Sequence, residues 1–364
     1  MLGKTRIFSI FIENDSIFSI IKALLAVLFA LIIVFFILLF TGYSPLPVYG
    51  ALLQGAFGSK RCIGETLIST TPLLFSGLGF ALAYRCGLFN IGLEGQITMG
   101  GIAAAFFGFI IPEINPVLHV IICIMAGALA GAFWGFIPGY LKAKFGIHEV
   151  IGVIMLNHIA FKIAAYLVSM QGPMQDKMDD MPASPFVQES ARIVRFARGS
   201  RLHWGIFLAI AVAGIVWLLL FRTRLGFKIR AVGMNSYAAE TAGISIKKHI
   251  VLTMAMSGAL GGLAGAVEIL GVHYRLFAAF SPGYGFDAIA VALLGLVNPI
   301  GIIASSFLFG VLRSGSVFMQ AMYGVNKDMV SVITGIIVFF MGMSIPIGIL
   351  IRNRLKRSRN GTLH

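Results

Sequence analysis

The sequence predicts an all-α fold, a polytopic transmembrane helical bundle of about ten spans. Three observations predict it. Charged residues make up 12% of the 364 and hydrophobic ones 58%, whereas an ordinary soluble domain is about 25% charged. Mean hydropathy is +0.93. The apolar runs are continuous rather than alternating, and of the two structures that satisfy their backbone in lipid, helices and closed barrels, a continuous run selects the helix.

Spans are expected near 21–41, 65–83, 91–111, 117–140, 148–169, 203–221, 249–271, 285–298, 301–319 and 331–351. The first follows Lys4, Arg6 and Lys22, like the opening of a signal peptide. Its run, Ala23 to Phe40, is longer than the usual h-region of roughly 7–15 residues and ends in Thr41-Gly42-Tyr43-Ser44-Pro45 without a small-x-small cleavage site. It therefore reads as an uncleaved span. The eighth is short enough to be two half-spans or a re-entrant segment. Asn298-Pro299-Ile300-Gly301 reads as a tight turn between the eighth and ninth. On the seventh, Gly258, Gly262 and Ala266 form one row of small residues and Gly261 with Gly265 a second, the pattern that lets helices approach closely in lipid.

Charge placement orients the bundle. With the N-terminus cytoplasmic, the inner segments hold Lys4, Arg6, Lys22, Arg85, Lys142, Lys144, Arg222, Arg224, Lys228, Arg230, Lys247, Lys248 and the five basic residues from Arg352 to Arg359, 17 of the 28 Lys and Arg. Nine fall outside, five of them in the long loop 170–202, and long loops report topology weakly. Both termini are then cytoplasmic. The net charge of +14 reads as basic inner loops facing anionic lipid rather than as nucleic-acid binding. Cys62, Cys86 and Cys123 fall outside, inside and within the bilayer, with neither a disulfide pairing nor a metal spacing.

Two polar segments interrupt the apolar pattern. The outer one, Met170 to Arg201, includes Asp176, Asp179, Asp180, Arg192, Arg195, Arg198 and Arg201; it reads either as a solvated linker or as a docking surface for a soluble partner. The inner one, Arg222 to Lys248, contains a short helix. Ser236 can cap it, Tyr237, Ala238, Ala239, Glu240, Thr241 and Ala242 can form it, and Gly243 can end it. Too short to be stable alone, it must be held by the spans or by a partner.

Ionisable residues in or near spans carry a functional expectation. Glu65 and Asp287 fall at span ends, where they can reach water, and Glu268 lies within a turn of one. Lys162 and Arg313 are more central and are expected to face a cavity or a partner. His158 reads as an interior, hydrogen-bonded histidine. Gly3-Lys4-Thr5 lacks the preceding glycine of a P-loop and His148-Glu149 lacks the second histidine of a zincin, so neither an ATP site nor a metal site is expected here.

The third span opens with Gly87-Leu88-Phe89-Asn90-Ile91-Gly92-Leu93-Glu94-Gly95-Gln96. Asn90 is a good N-cap, and Glu94 in the first turn complements the helix dipole. The glycines permit either a capped, closely packed helix end or a broken helix whose polar groups shape a pathway. This decapeptide closely resembles the signature of permease subunits in the ABC importer family that handles branched-chain amino acids, simple sugars and nucleosides, and within it the nucleoside branch, which works with a basic-membrane-protein-type binding lipoprotein. The stretch Arg230 to Lys248 resembles the cytoplasmic loop of the same family.

The resemblance implies one permease domain over 1–364, in a bacterial plasma (inner) membrane. It implies a mechanism in which a separate ATPase drives alternating access. Residues 236–243 would be the helix coupled to that ATPase. ATP would be bound by the ATPase subunits, leaving no cofactor or catalytic residue in this chain. The implied partners are ABC ATPase subunits, a second permease that is a copy or a paralogue, and an extracytoplasmic solute-binding lipoprotein. Phe89, Asn90, Glu94, Gln96 and Asn157 are the candidate pathway residues, because a polar solute needs hydrogen-bond partners and a base can stack on an aromatic face. The competing readings are an ion-coupled secondary transporter, which would use central acids that are scarce here, a permease for simple sugars or branched-chain amino acids, and an intramembrane enzyme, for which no paired catalytic constellation stands out.

Overall fold

A computed structural model describes residues 15–178, 180–197 and 199–340. Lys4, Arg6, Asp179, Arg198, the end of the tenth span and the tail Arg352 to Arg359 lie outside the described residues. Thirteen α-helices are present among them, and no strand. They are α1 (Asp15–Phe40), α2 (Pro45–Phe57), α3 (Lys60–Arg85), α4 (Leu93–Ile110), α5 (Pro116–Phe145), α6 (Glu149–Leu167), α7 (Gly205–Arg222), α8 (Arg224–Met234), α9 (Ser236–Thr241), α10 (Ile246–Glu268), α11 (Tyr284–Leu294), α12 (Pro299–Tyr323) and α13 (Met329–Phe340). Eight are long and apolar enough to cross a membrane: α1, α3, α4, α5, α6, α7, α10 and α12. The protein is a multi-pass membrane protein.

Helix α3 is the axis of the bundle. Leu73, Leu74, Phe75, Leu78, Phe80 and Ala81 are all buried, so it is surrounded by protein rather than lipid. Three of its hydroxyls are satisfied within the helix: Thr70 donates to the carbonyl of Thr66, Thr71 to that of Leu67 and Ser76 to that of Pro72, while Thr66 donates to the Ala56 carbonyl on α2. At its C-terminal end Arg85 donates twice to the carbonyl of Val297, at 3.1 and 2.9 Å. Leu296 and Val297 both have positive φ, 56° and 52°, an uncommon backbone for branched side chains, and the Arg85 guanidinium holds the turn that contains them. The expected turn at Asn298 is also a helix start: the Asn298 side chain accepts the N–H of Ile300, and Pro299 opens α12.

Both glycine rows of α10 are used. A Cβ on Gly258 or Gly262 would overlap the carbonyls of Gly131 and Gly127 on α5, and one on Gly265 would overlap the Ile97 carbonyl on α4. The three helices therefore touch backbone to backbone.

The expected eighth span, 285–298, is one short helix, α11, of 11 residues and not two half-spans. After α10 a π-turn, Ile269–His273, ends at Tyr274 in the left-handed region. The chain then continues through bends and a turn, with Phe280 against Gly101 of α4, and becomes helical only at Tyr284. The tenth begins as α13. Helix α2, which the span count did not include, is a 13-residue helix opened by two prolines, Pro45 and Pro47.

The loop after α6 is a folded cap and not a solvated linker. Ser184 donates its N–H to the Leu276 carbonyl, Val187 to that of Tyr274, Gln188 to that of Gly108 and Ile193 to that of Leu270. These four bonds stitch it across the ends of α4 and α10. Arg192 and Arg195 stack on Tyr274. All three cysteines are free.

Candidate functional site

The decapeptide 87–96 lies where the chain leaves α3 and has not yet entered α4. Helix α4 begins at Leu93, with Gly92 at its N-cap, so Asn90 is not the cap expected of it. The residues between are non-helical backbone inside a membrane protein, and such backbone needs internal partners. Side chains supply them. Asn157 on α6 accepts the N–H of Gly95 at 2.9 Å and donates to the Ile91 carbonyl at 3.0 Å. Asn90 accepts the N–H of Gly92, and Glu149 that of Phe89. Glu149 is itself paired with Lys142.

Asn90 is 0% exposed and does more than turn the chain. Its amide donates to Gln96 at 3.0 Å and to Ser257 on α10 at 2.8 Å, and Ser257 donates to the Gly79 carbonyl on α3. Three helices meet in this one chain of hydrogen bonds, and buried networks fully satisfied in this way specify one packing. Phe89 is half-buried and packs edge-on against Phe80 at 5.0 Å.

Glu94 belongs to a second cluster. Its carboxylate accepts the N–H of Gly283 at 3.2 Å and of Gly285 at 2.6 Å. It thus lies between the N-termini of α4 and α11, where two sets of helix N–H groups favour negative charge. One turn into α11, Asp287 pairs with Arg313 at 2.7 Å, and Arg313 also donates to the Pro282 carbonyl and stacks on Tyr284. Asp287 is therefore a buried ion-pair partner and not a carboxylate reaching water, and it supplies Arg313 with a partner that span positions could not. Glu268 is likewise buried, 3.4 Å from His273.

A cavity of about 470 Å³ adjoins Arg313. It opens at the end of α3 that begins with Lys60, and its wall includes Arg61, Glu65, Ser69, Arg201 and Phe318. Arg201 and Glu65 form a two-pronged pair at 3.0 and 2.6 Å across its mouth, so Glu65 is partnered rather than free in water.

At the opposite end, α8 and α9 form a helical elbow. Asn235, not Ser236, is the N-cap of α9: its side chain accepts the N–H of Ala238 at 3.1 Å. The helix ends through Gly243 at φ +76°. Ala239 is buried and anchors it, while Tyr237, Ala238, Glu240, Thr241, Ala242 and Gly243 are exposed and Ser236 is half-buried. Met234 and Tyr237 are 86% and 81% exposed. Among the described residues no group of His, Cys, Asp and Glu is placed to hold a metal ion.

A short, capped helix presenting large apolar side chains beneath a bundle of spans calls for comparison with known permeases. The model of the family described as branched-chain amino acid transport system / permease component matches residues 62–342. This chain belongs to that family. Among curated proteins the permease is 39% identical to the guanosine ABC transporter permease protein NupP of Bacillus subtilis, over 93% of this chain and 97% of that one. It is 36% identical to the nucleoside ABC transporter permease protein NupB of Lactococcus lactis, over 93% and 94%. It is 31% identical to the glucose ABC transporter permease protein TsgB13 of Haloferax volcanii, over 82% and 80%. No solved structure matches the permease. Helix α2 and the Asn90–Ser257 bond are among the features that the sequence alone did not reveal; the paired prolines of α2 were the available signal for the first, and none existed for the second.

Proposed function

We propose that this chain is a permease subunit of an ATP-driven nucleoside importer, a single transmembrane domain with both termini cytoplasmic. The observation that carries the reading is the α8–α9 elbow. Helix α9 is fixed to the bundle by buried Ala239 and by buried Ile244 just after it, yet turns Tyr237 outward beside the exposed Met234 that ends α8. A helix so mounted transmits force from a partner to the spans. The partner is an ABC ATPase, which binds the ATP, and this chain contributes neither a cofactor nor a catalytic group. Nucleosides are the solute of choice because the relatives matched over nearly their whole length carry guanosine and nucleoside in their names. A second permease, a copy or a paralogue, completes the membrane portion, and an extracytoplasmic lipoprotein delivers solute to the folded cap.

Phe89, Asn90, Glu94, Gln96 and Asn157 serve transport from within the bundle. Their burial favours holding the α4 entrance in register over contact with solute. Asn90→Leu and Gln96→Leu are expected to lower uptake with normal membrane insertion, and unchanged uptake would remove both from the mechanism.

The deciding experiment is purification in mild detergent with identification of co-purifying chains, alongside Ala239→Pro. A co-purifying ATPase whose hydrolysis persists in the variant while uptake is lost supports the reading, since proline breaks a helix interior. A chain that purifies alone and moves solute on an ion gradient overturns it.

A further inference from the structure

Helices α5 and α10 touch at Gly135 and Gly139, where a Cβ would overlap the carbonyl and the side chain of Met254. Beside that contact the two spans leave a groove of about 620 Å³ on the outside of the bundle. One wall is aromatic: Phe136 and Tyr140, a turn apart on α5, stack at 5.7 Å. The other is aliphatic, formed by Val251, Leu252 and Ala255 of α10. No acidic residue lines the groove.

Its character changes at one end. There Lys144 follows Tyr140 by a turn, and Lys247 and Lys248 stand in the first turn of α10. Lys144 donates to the Tyr140 hydroxyl at 2.9 Å, which holds its ammonium at the aromatic wall. All three lysines are exposed. Among the described residues none of them has a carboxylate partner: Glu149 is taken by Lys142. Ala143 and Lys247 also line a neighbouring hollow of about 630 Å³, in which Glu240 is the acidic side chain, but Glu240 makes no ion pair with Lys247. The first turn of α10 holds no acidic residue, so its dipole adds to the demand of the lysines for an anion.

The groove is therefore apolar along its length and cationic at one end. Its apolar part lies on two helices that are long and apolar enough to cross a membrane. From Phe136 to Lys144 is eight residues, roughly 12 Å of helix. A soluble partner could reach the lysines but not the wall two turns deeper in hydrocarbon. A second permease could cover the wall but would bury three unpaired lysines, which is costly. A phospholipid with an anionic headgroup matches both parts at once, and basic pockets between spans bind such headgroups.

We infer that the α5–α10 groove is a binding site for an anionic phospholipid, with its phosphate on Lys144, Lys247 and Lys248 and an acyl chain between Tyr140 and Leu252. The bound lipid straps the end of α5 to the start of α10. Lys247 is four residues beyond Gly243, which closes α9, so the strap also steadies the mounting of the α8–α9 elbow. The site needs a membrane but neither the solute nor the ATPase.

The test uses the transporter purified in mild detergent with its accompanying subunits. The probes are phosphatidylglycerol and phosphatidylcholine with identical chains, each bearing a photoreactive group on one acyl chain. Phosphatidylglycerol is expected to label the α5 and α10 peptides of the groove at least about five-fold more than phosphatidylcholine. Each of Lys144→Gln, Lys247→Gln and Lys248→Gln is expected to weaken that labelling about five-fold. Lys228→Gln, the same charge change at an exposed lysine outside the groove, should leave it unchanged. Ala255→Trp, which fills the apolar part and leaves the charge alone, should block it. Equal labelling by the two lipids, or labelling unmoved when all three lysines become glutamine, means unselective solvation by lipid and overturns the site. No labelling of either helix, in protein that elutes as an intact complex, overturns it as well. A photoreactive residue at Leu252 that captures a protein chain instead of lipid overturns it in favour of a subunit contact.

Discussion

The carboxylate of Glu94 accepts the N–H of Gly285 at 2.6 Å, joining the first turn of α4 to the first turn of α11 across 191 positions of sequence. Two helices that begin inside the bundle thereby share one anionic cap.

Removing that cap leaves the buried N–H of Gly285 and the part-buried N–H of Gly283 without an acceptor, the first costing about 1–3 kcal/mol. Glu94→Leu is expected to reduce the yield of monodisperse protein in detergent severely. Glu94→Gln, which retains one acceptor oxygen, is expected to be milder. Gly285→Ala should resemble Glu94→Leu, because its Cβ would overlap the Glu94 backbone. Size-exclusion profiles of the three variants rank them.

The glycine contacts of α10 give a sharper contrast. Gly262→Leu places a side chain against the Gly127 carbonyl and is expected to prevent assembly of the bundle. Gly214→Leu on α7, where nothing lies within 4 Å, should change melting temperature little. Thermal stability in detergent separates them.

The cap of α9 can be weakened without breaking the helix. Asn235→Ala removes the acceptor for Ala238 and costs ~1 kcal/mol, roughly a five-fold shift in a helix of marginal stability. Uptake should fall while ATPase activity persists. Asn235→Ser should restore uptake, and equal uptake in all three proteins would mean that the cap does not matter for coupling.

His203, in the cap before α7, is buried and accepts the N–H of Gly205 on Nδ1. Burial, with a smaller contribution from Arg195, lowers its pKa from 6.5 to about 4. The unfolded chain therefore binds the proton first, so stability is full above the unfolded value and declines as pH falls from about 6.5 toward 4. The expected loss is about 2 kcal/mol between pH 7 and pH 5. Melting curves at the two values should show it, and His203→Gln should flatten the difference.

What sequence could show depended on how local the signal was. Helix α9 was readable because its cap and its terminal glycine lie within nine residues; the one-residue error, Ser236 for Asn235, arose because both neighbours are good caps. The glycine rows of α10 were readable because they repeat every turn. Asn90 and Glu94 stood out as polar groups at a helix break, but their partners Ser257, Gly283 and Gly285 are long-range neighbours with no local pattern. Asp287 and Arg313 were both visible, and only their depth in the fold pairs them. His158, read as interior, is exposed although its neighbour Asn157 is buried, because a helix turns about 100° in one residue and puts neighbours on different surfaces.

The backbone contact among α4, α5 and α10 sets the mechanics of this permease. With no side chains between them to act as bearings, these three helices cannot slide or roll without driving one main chain into another. They form a stator. Any cycle that opens one side of the membrane and shuts the other must be hinged outside that frame, and the elbow of α8 and α9 is one such element.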